Sequence, residues 1–220
     1  MAIRPDQFAA EITAADITDL CDNHVPEDIY LEFKQILFTF PNQPPEQQGR
    51  LLENQVEDIL SDLVAFANSY GGHLVIGIAP DGERADRIEA LRREDATRIS
   101  QIIRDRAAVF IKPRLALLEA VPFPMDARQE NWVVVVTIPP GESRPHMSAF
   151  REQTRFTIRE GNRKRSMTAD EIRDALLAGP QSTAMAGLLA EVRGLRAVVE
   201  QMSSQITSET RPLWKRIFQK

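Results

Sequence analysis

Residues 63–78, LVAFANSYGGHLVIGI, decide the fold of this chain. Apolar residues recur with helical spacing before and into the first half of the stretch, and the Gly71-Gly72 pair then ends the helix. Residues 73–78 are almost wholly apolar, which is typical of a strand buried on both faces. The stretch therefore predicts a helix over about 53–68 that leads through two glycines into a central strand.

Capping residues and apolar runs predict further elements on both sides. Thr13 and Asp16 have the spacing of a capping box, which predicts a helix over 13–23. The other expected elements are a strand over 30–38, a helix over 93–109, strands over 114–121, 132–138 and 155–159, and a helix that begins at a second capping box, Thr168 to Glu171, and ends near 178. This mixture of helices and strands indicates an α+β fold.

The composition is that of a globular protein. Of the 220 residues, 43% are hydrophobic and 27% are charged, and the net charge of −5 argues against a uniformly basic nucleic-acid binder. Cys21 is the only cysteine, which excludes an internal disulfide framework and a zinc site with several cysteines. The first residues lack a signal-peptide pattern, and no apolar run approaches the roughly 20 residues of a membrane span. We therefore expect a soluble, cytoplasmic protein.

The C-terminal residues have a different pattern. Apolar residues there are separated alternately by three and four positions, as in a coiled coil: Met185, Leu188, Val192, Leu195, Val199, Met202 and Ile206. An amphipathic helix folded back on the domain would need only one apolar stripe, whereas the strict alternation favours self-association into a homo-oligomer of two or more chains. The expected organisation is a loosely held leader over 1–12, a domain over 13–179 and a helical oligomerisation tail over 180–220.

Four segments in this order resemble the Schlafen-type AlbA domain family. They are 27–34, EDIYLEFK; 63–72, LVAFANSYGG; 73–78, HLVIGI; and 156–161, FTIREG. The resemblance covers about 13–178 and implies an AlbA-like mixed sheet with packed helices, in a family that includes many bacterial proteins. It also implies nucleic acid as the partner, because Schlafen members bind tRNA and some cleave RNA with a metal ion held by three carboxylates.

The resemblance places two of those carboxylates on Glu27 and Glu32, and the third position falls on Pro80, one residue before Asp81. Glu27, Glu32 and Asp81 are therefore the candidate catalytic residues and the candidate ligands of Mg²⁺ or Mn²⁺. In a flat strand Glu27 and Glu32 would face opposite sides, so they converge only if Glu27 lies on a turn before the strand. The alternatives are a Glu32–Lys34 pair on one strand face and a polar turn role for Asp81.

Residues 151–165 form a basic segment in an acidic chain, with six cations and two acids. Alternation predicts that Arg155, Thr157 and Arg159 share the exposed face of one strand, while Phe156 and Ile158 face the core. Phosphate backbones attract such cations, although basic loops are also common on solvated surfaces. The candidate nucleic-acid-binding residues are Lys34, Arg155, Arg159, Arg163, Lys164 and Arg165.

Three functions follow as hypotheses. The first is a self-associating protein that binds nucleic acid, RNA in preference to DNA. The second is a metal-dependent endoribonuclease that cuts tRNA-type substrates as a defence or stress effector. The third is a non-catalytic assembly protein, adaptor or transcriptional regulator.

Overall fold

The computed structural model describes residues 3–4, 7–35, 44–141 and 143–178. Contacts divide the chain into the units Met1–Leu176 and Leu177–Lys220, and the second unit lies almost wholly outside the described residues. The expected apolar seam over 185–206 and the end of the expected strand over 30–38 also lie outside them. Among the described helices, none combines the length and the apolar character needed to cross a membrane.

The described residues form an α+β structure, as the sequence predicts. The helices are α1 (Ala14–Asp22), α2 (Pro45–Asn68), α3 (Arg93–Phe110) and α4 (Ala169–Leu177). The strands are β1 (Leu31–Lys34), β2 (Gly72–Ile76), β3 (Ile78–Asp81), β4 (Arg84–Ile88), β5 (Ile111–Lys112), β6 (Glu119–Pro124), β7 (Trp132–Ile138), β8 (Met147–Phe150), β9 (Gln153–Arg155), β10 (Thr157–Glu160) and β11 (Arg163–Ser166).

A mixed four-stranded sheet in the order β1-β2-β7-β6 forms the centre of the fold. β1 runs parallel to β2, with Leu31 opposite His73, whereas β2 with β7 and β7 with β6 are antiparallel. Three small sheets surround it: the β3–β4 hairpin, the sheet β5-β8-β9 and the β10–β11 hairpin.

Both faces of the central sheet are covered. On one face Leu74, Ile76, Val134 and Val136 belong to the apolar cluster that includes side chains of α2 and α3. On the other face Val75, Val133 and Val135 form a second cluster with Ile17, Leu20 and Phe33. This double burial explains the uninterrupted apolar runs of β2 and β7.

Both predicted capping boxes are confirmed. The Asp16 amide donates to Thr13 Oγ1 at 3.3 Å, and the Thr13 amide donates to Asp16 Oδ2 at 2.9 Å. At α4 the Glu171 amide donates to Thr168 Oγ1 at 3.2 Å, and the Thr168 amide donates to Glu171 Oε2 at 2.8 Å. Each box satisfies backbone amides that a helix start leaves without intrahelical partners.

Several boundaries differ from the prediction. α2 begins at Pro45 rather than near residue 53, and proline suits the first turn because the missing amide hydrogen is not needed there. The strand expected over 73–78 divides at Gly77, whose φ of 106° turns the chain from β2 into β3. The strand expected over 114–121 is shifted to Glu119–Pro124.

The first residues are held more firmly than the predicted loose leader. Ile3, Ala9 and Ile12 are buried. Ile3 and Ile12 belong to the second apolar cluster, on the face of the central sheet that packs against Ile17 and Leu20. The ring Nε2 of His73 lies 2.9 Å from the carbonyl oxygen of Arg4. These contacts give the described part of the leader a place in the core.

Asn68, the last residue of α2, joins that helix to the residue before β8 and to the start of β10. Its Nδ2 donates to the carbonyl oxygens of His146 at 2.8 Å and Thr157 at 2.9 Å. Its Oδ1 accepts the His146 amide at 2.7 Å. One buried side chain thus satisfies three backbone groups, which accounts for an asparagine within the apolar stretch 63–78.

Candidate nucleic-acid interface

The β10–β11 hairpin carries most of the basic residues that the sequence selected, and it lies against the end of α2. Thr157 Oγ1 donates to the Ser61 carbonyl oxygen at 2.8 Å, and the Arg159 amide donates to Ser69 Oγ at 2.9 Å. Thr157 and Arg159 are therefore buried, and the prediction that they occupy an exposed face is wrong.

The physical reason is a change of sheet at Phe156. Arg155 is the last residue of β9, which pairs with β8, whereas Thr157 is the first residue of β10, which pairs with β11. Alternation within one strand does not continue across such a break, and Phe156 and Ile158 are only partly buried.

Arg159 is a structural cation of the interior. Its side chain is 0% exposed, Nη1 lies 2.9 Å from Glu32 Oε2, and Nη2 donates to the Asp28 carbonyl oxygen at 2.7 Å. The guanidinium also lies 4.4 Å from the centre of the Phe66 ring, a cation–π contact. The residue therefore fastens the hairpin to β1 instead of presenting charge to a ligand.

Two lysines extend this interior network. Lys34 Nζ lies 3.1 Å from Glu32, 3.0 Å from Asp58 and 3.3 Å from Asp62. Lys164 Nζ lies 2.5 Å from Asp58 Oδ1 and 2.7 Å from Asp62 Oδ1. The inner cluster, as we name it, consists of Glu32, Lys34, Asp58, Asp62, Arg159 and Lys164.

The pKa values follow from burial and from these close charges. Burial opposes the charged form of Lys34, but Asp62, Asp58 and Glu32 outweigh burial and raise the lysine pKa above its ordinary value. Burial opposes ionisation of Asp58 too, yet Lys164 and Lys34 lower its pKa. Burial raises the pKa of Asp62, a shift that Lys164 and Lys34 oppose. The three carboxylates of the inner cluster are thus balanced by its three cations.

Of the candidate nucleic-acid-binding residues, three arginines lie at the surface. We name Arg155, Arg163 and Arg165 the outer row. Arg155 pairs with Glu57, and Arg163, whose side chain is 83% exposed, lies 3.7 Å from Glu83. Arg165 lies 2.7 Å from Glu160 and 2.8 Å from Glu171. Hydrogen bonds from Arg165 lower the pKa of Glu171 to about 2. Each member of the outer row therefore has a solvent-accessible acidic partner.

The acids of α2 are the functional residues that the count of charges along the sequence missed. Glu53 and Glu57 lie beside Arg151, and Asp58 and Asp62 hold both lysines of the inner cluster. A signal was present, because Glu53 with Glu57 and Asp58 with Asp62 are two pairs of acids spaced by four residues, so that the members of each pair are neighbours on the helix surface. The second pair meets Lys164 of the β10–β11 hairpin, whereas the first pair meets Arg151 between β8 and β9.

The three candidate metal ligands lie on neighbouring segments. Glu27 precedes β1, as convergence with Glu32 requires, and its amide donates to the Glu83 carbonyl oxygen at 2.7 Å beside the β3–β4 turn. Asp81 is exposed at the end of β3, opposite Arg84, which also forms a bridge with Pro26. Burial and the Glu32 carboxylate raise the pKa of Glu27.

In this arrangement the residues do not fit a metal ion. Both carboxylate oxygens of Glu32 are engaged, Oε1 with Lys34 and Oε2 with Arg159, and Glu27 Oε1 accepts the Phe33 amide at 3.0 Å. Within the described residues no group of three His, Cys, Asp or Glu side chains is placed to hold a metal. The Glu32–Lys34 pair on one strand face is present.

The mixed sheet and its signature segments place the chain in a known class of domains. The chain belongs to the family described as Schlafen, AlbA_2, whose model matches residues 27–168. The match contains β1, the Gly71-Gly72 junction and the β10–β11 hairpin.

The chain also has a partial likeness to solved structures. The DIP2311 protein from Corynebacterium diphtheriae is 16% identical, with a TM-score of 0.45, over 74% of this chain and 31% of that protein's chain. The chain thus corresponds to about a third of that protein's length. No curated protein matches the chain.

Proposed function

We propose that this protein binds nucleic acid through the outer row, and RNA in preference to DNA. The observation that carries the proposal is the set of three surface arginines, which belong to strands β9 and β11 and have only exposed or half-exposed acidic partners. The preference for RNA rests on the resemblance to Schlafen proteins, which bind tRNA.

The arginines of the outer row can exchange their carboxylate partners for phosphate groups at little cost in free energy. Solvent-exposed ion pairs contribute about 0–1 kcal/mol, so a phosphate group can replace Glu83 or Glu57 at little cost. The phosphate contact gains from counterion release, which an isolated carboxylate does not provide. Lys34, Arg159 and Lys164 are excluded from this role by their partners in the inner cluster, since a cation that moved to a phosphate would leave its carboxylates with one cation fewer.

The test is a binding titration with tRNA, single-stranded RNA and duplex DNA at about 50 and about 200 mM salt. The double variant Arg155→Ala with Arg163→Ala should weaken binding to all three and lower the salt slope by about 2, one unit for each lost phosphate contact. Arg98→Ala, which removes an exposed arginine beside Asp95 on α3, is the matched control. Unchanged affinity and slope in the double variant would overturn the proposal.

We also propose that residues 185–206 associate two or more chains. The alternation of three and four positions between apolar residues supports this. Two linked copies would present two outer rows to one nucleic-acid strand, which raises the overall affinity without a new contact.

A second candidate function is metal-dependent cleavage of RNA in a defence or stress response. It is favoured by the position of Glu27 between Glu32 and the hairpin that carries Asp81, and it requires Glu32 to leave Lys34 and Arg159. Incubation of tRNA with Mn²⁺ and either the wild type or Glu32→Gln tests it. Equal cleavage by the two proteins would show that Glu32 is not part of the catalytic site. If neither protein binds or cuts RNA, an adaptor role is the remaining proposal.

A further inference from the structure

Two tyrosines form an aromatic pair at one end of the central sheet. Tyr30 lies directly before β1 and Tyr70 lies between α2 and β2, and these two strands begin side by side because they are parallel. The ring centres are 6.0 Å apart, and the ring planes are tilted by 57°. Tyr70 is 61% exposed, whereas Tyr30 is only partly exposed. Tyr30 therefore supports a ring that is otherwise largely open to solvent.

Hydrogen bonds fix the backbone around both tyrosines. The His73 amide donates to the Tyr30 carbonyl oxygen at 2.7 Å, and the Tyr30 amide donates to Asp28 Oδ1 at 2.7 Å. The Ser69 hydroxyl, directly before Tyr70, accepts a backbone amide of the β10–β11 hairpin at 2.9 Å. A side chain on a fixed backbone loses less conformational freedom on binding than one on a loose loop. The two rings are therefore preorganised to bind a partner.

A cation lies beside Tyr70 on the loop after β7. The Gly141 amide donates to the Ala67 carbonyl oxygen at 2.8 Å, which packs this loop against the end of α2. Arg144 follows on the same loop, and its Nε donates to the Gly141 carbonyl oxygen at 3.1 Å. Burial lowers the pKa of the Arg144 guanidinium, and Tyr70 lies close enough to oppose this shift. Arg144 belongs to none of the ion pairs between described residues.

The basic hairpin borders the aromatic pair on its other side. Arg159 Nη2 donates to the carbonyl oxygens of both Asp28 and Asn162, at 2.7 and 3.2 Å. This one nitrogen therefore holds the β10–β11 turn beside the segment that leads into Tyr30. Arg163 of the outer row directly follows Asn162 in the chain. The contacts thus lead from the outer row, past the aromatic pair, to the loop after β7.

An exposed aromatic ring with cations on both sides has the chemistry of a site for a single nucleic-acid strand. Any base has a flat face that can stack on the ring, and the cations attract the phosphates before and after that base. The bases of a duplex are already stacked on one another, so they are not available to the ring. Such a site therefore selects unpaired nucleotides without selecting a sequence.

We propose that Tyr70, supported by Tyr30, stacks on one unpaired base of an RNA strand whose phosphates contact Arg144 on one side and the outer row on the other. The inference rests on the proposed function and adds that the bound strand is single at this point. It also adds Arg144, which lies outside the basic segment over 151–165, to the RNA interface.

Titration of the full chain with a short single-stranded RNA and with an abasic strand of the same length tests the stacking. Tyr70→Ala should weaken binding of the RNA about tenfold or more, and Tyr70→Phe, which keeps the ring, should bind as the wild type does. The abasic strand keeps the phosphates and lacks the bases, so the wild type and Tyr70→Ala should bind it equally. Equal losses on the two strands, or no loss on the RNA, would overturn the proposal.

The matched control for the ring is Phe8→Ala. It removes another aromatic side chain that is 60% exposed, at a place away from the basic hairpin in the sequence, and it should bind the RNA as the wild type does. A loss as large as that of Tyr70→Ala would show that any exposed aromatic ring contributes equally, which would reject a site at Tyr70.

The salt dependence of binding tests Arg144. Stacking releases no counterions, so Tyr70→Ala should keep the salt slope of the wild type, whereas Arg144→Ala should lower it by about 1. Arg144→Lys keeps the charge and should keep the slope. Arg128→Ala, which removes an exposed arginine in the turn between β6 and β7, is the matched control. An unchanged slope in Arg144→Ala would exclude Arg144 from the interface.

Two variants separate this inference from the proposed function. Arg155→Ala with Arg163→Ala removes cations of the outer row, and Tyr70→Ala removes the ring. Weaker binding of single-stranded RNA in the double variant alone would keep the outer row and reject the stacked base. Weaker binding in Tyr70→Ala alone would keep the stacked base and reject the outer row. On duplex DNA only the double variant should bind more weakly, and an equal loss there in Tyr70→Ala would contradict a site for unpaired bases.

Discussion

At the scale of single residues, Arg159 shows that a basic residue in a basic segment need not face a ligand. Its guanidinium joins Glu32, the Asp28 carbonyl oxygen and the Phe66 ring inside the protein. We expect Arg159→Ala to lower the free energy of unfolding by about 3–5 kcal/mol, because Glu32 keeps its charge with one cation fewer in a buried place. Urea denaturation followed by circular dichroism measures this loss.

The matched comparison is Arg163→Ala on the same hairpin. Its side chain is 83% exposed and its carboxylate partner is 3.7 Å away, so stability should change by no more than about 0.5 kcal/mol. Equal losses in the two variants would contradict the assignment of Arg159 to the interior. Loss of RNA binding in Arg159→Ala would therefore reflect unfolding of the domain and not the loss of a contact with RNA.

His146 makes stability depend on pH. Burial places its folded-state pKa below the ordinary value of 6.5. Above pH 6.5 both folded and unfolded chains hold the neutral ring, and the contribution is complete. As the pH falls from 6.5 towards the lower folded pKa, the unfolded chain binds a proton that the folded chain does not, so this contribution is lost.

We therefore expect the difference in unfolding free energy between the wild type and His146→Asn to shrink as the pH falls below 6.5. Urea denaturation at a series of pH values measures both curves, and the plateau above pH 6.5 is the internal reference. Parallel curves over the whole range would contradict a lowered pKa.

At the scale of elements, two glycines, one inside α2 and one at the start of β2, predict opposite effects of alanine. A Cβ at Gly72 would lie 2.3 Å from the Tyr30 carbonyl oxygen, at a φ of 146°, whereas a Cβ at Gly49 meets nothing within 4 Å. Gly72→Ala should lower stability by at least about 2 kcal/mol through strain and overlap. Gly49→Ala should raise it by about 0.5–1 kcal/mol, since alanine favours the helix.

Thermal denaturation of the two variants beside the wild type tests this contrast. A stable Gly72→Ala protein would show that β1 and β2 can separate at this point without loss. A destabilised Gly49→Ala protein would contradict the open space around this position.

Elements whose signals are local could be predicted from the sequence. The Thr13 and Thr168 capping boxes and the apolar run of β7 each lie within a few neighbouring residues, and the structure has all three. The orientation of the β10–β11 hairpin could not be predicted in the same way. It depends on contacts of Thr157 and Arg159 with Ser61 and Ser69, about ninety residues away.

At the scale of the whole molecule, the net charge of −5 and the basic segment over 151–165 describe one arrangement. Three cations of the segment meet acids of α2 and the other three meet acids elsewhere in the domain, so the excess of positive charge counted along the chain is largely cancelled in space. The candidate site was therefore predictable as a list of cations. Which of them remain at the surface required the tertiary pairing.

The proposed tail makes a prediction for the size of the particle. A chain that ends at residue 180 lacks the apolar seam over 185–206, so it should sediment as a monomer, whereas the full chain should sediment as a dimer or larger. The shortened chain should keep the far-ultraviolet signal of the domain, because the core clusters lie before that point. A monomeric full chain would reject self-association.

Asn68 ties the His146 region and the basic hairpin to the same helix end. An aspartate there would have nearly the same shape, yet it would turn two donated hydrogen bonds into contacts between a carboxylate and carbonyl oxygens. Both would then lose their anchor in one step. A substitution of Asn68 therefore disturbs the His146 region and the hairpin together. Their separate roles have to be tested with residues that belong to only one of them.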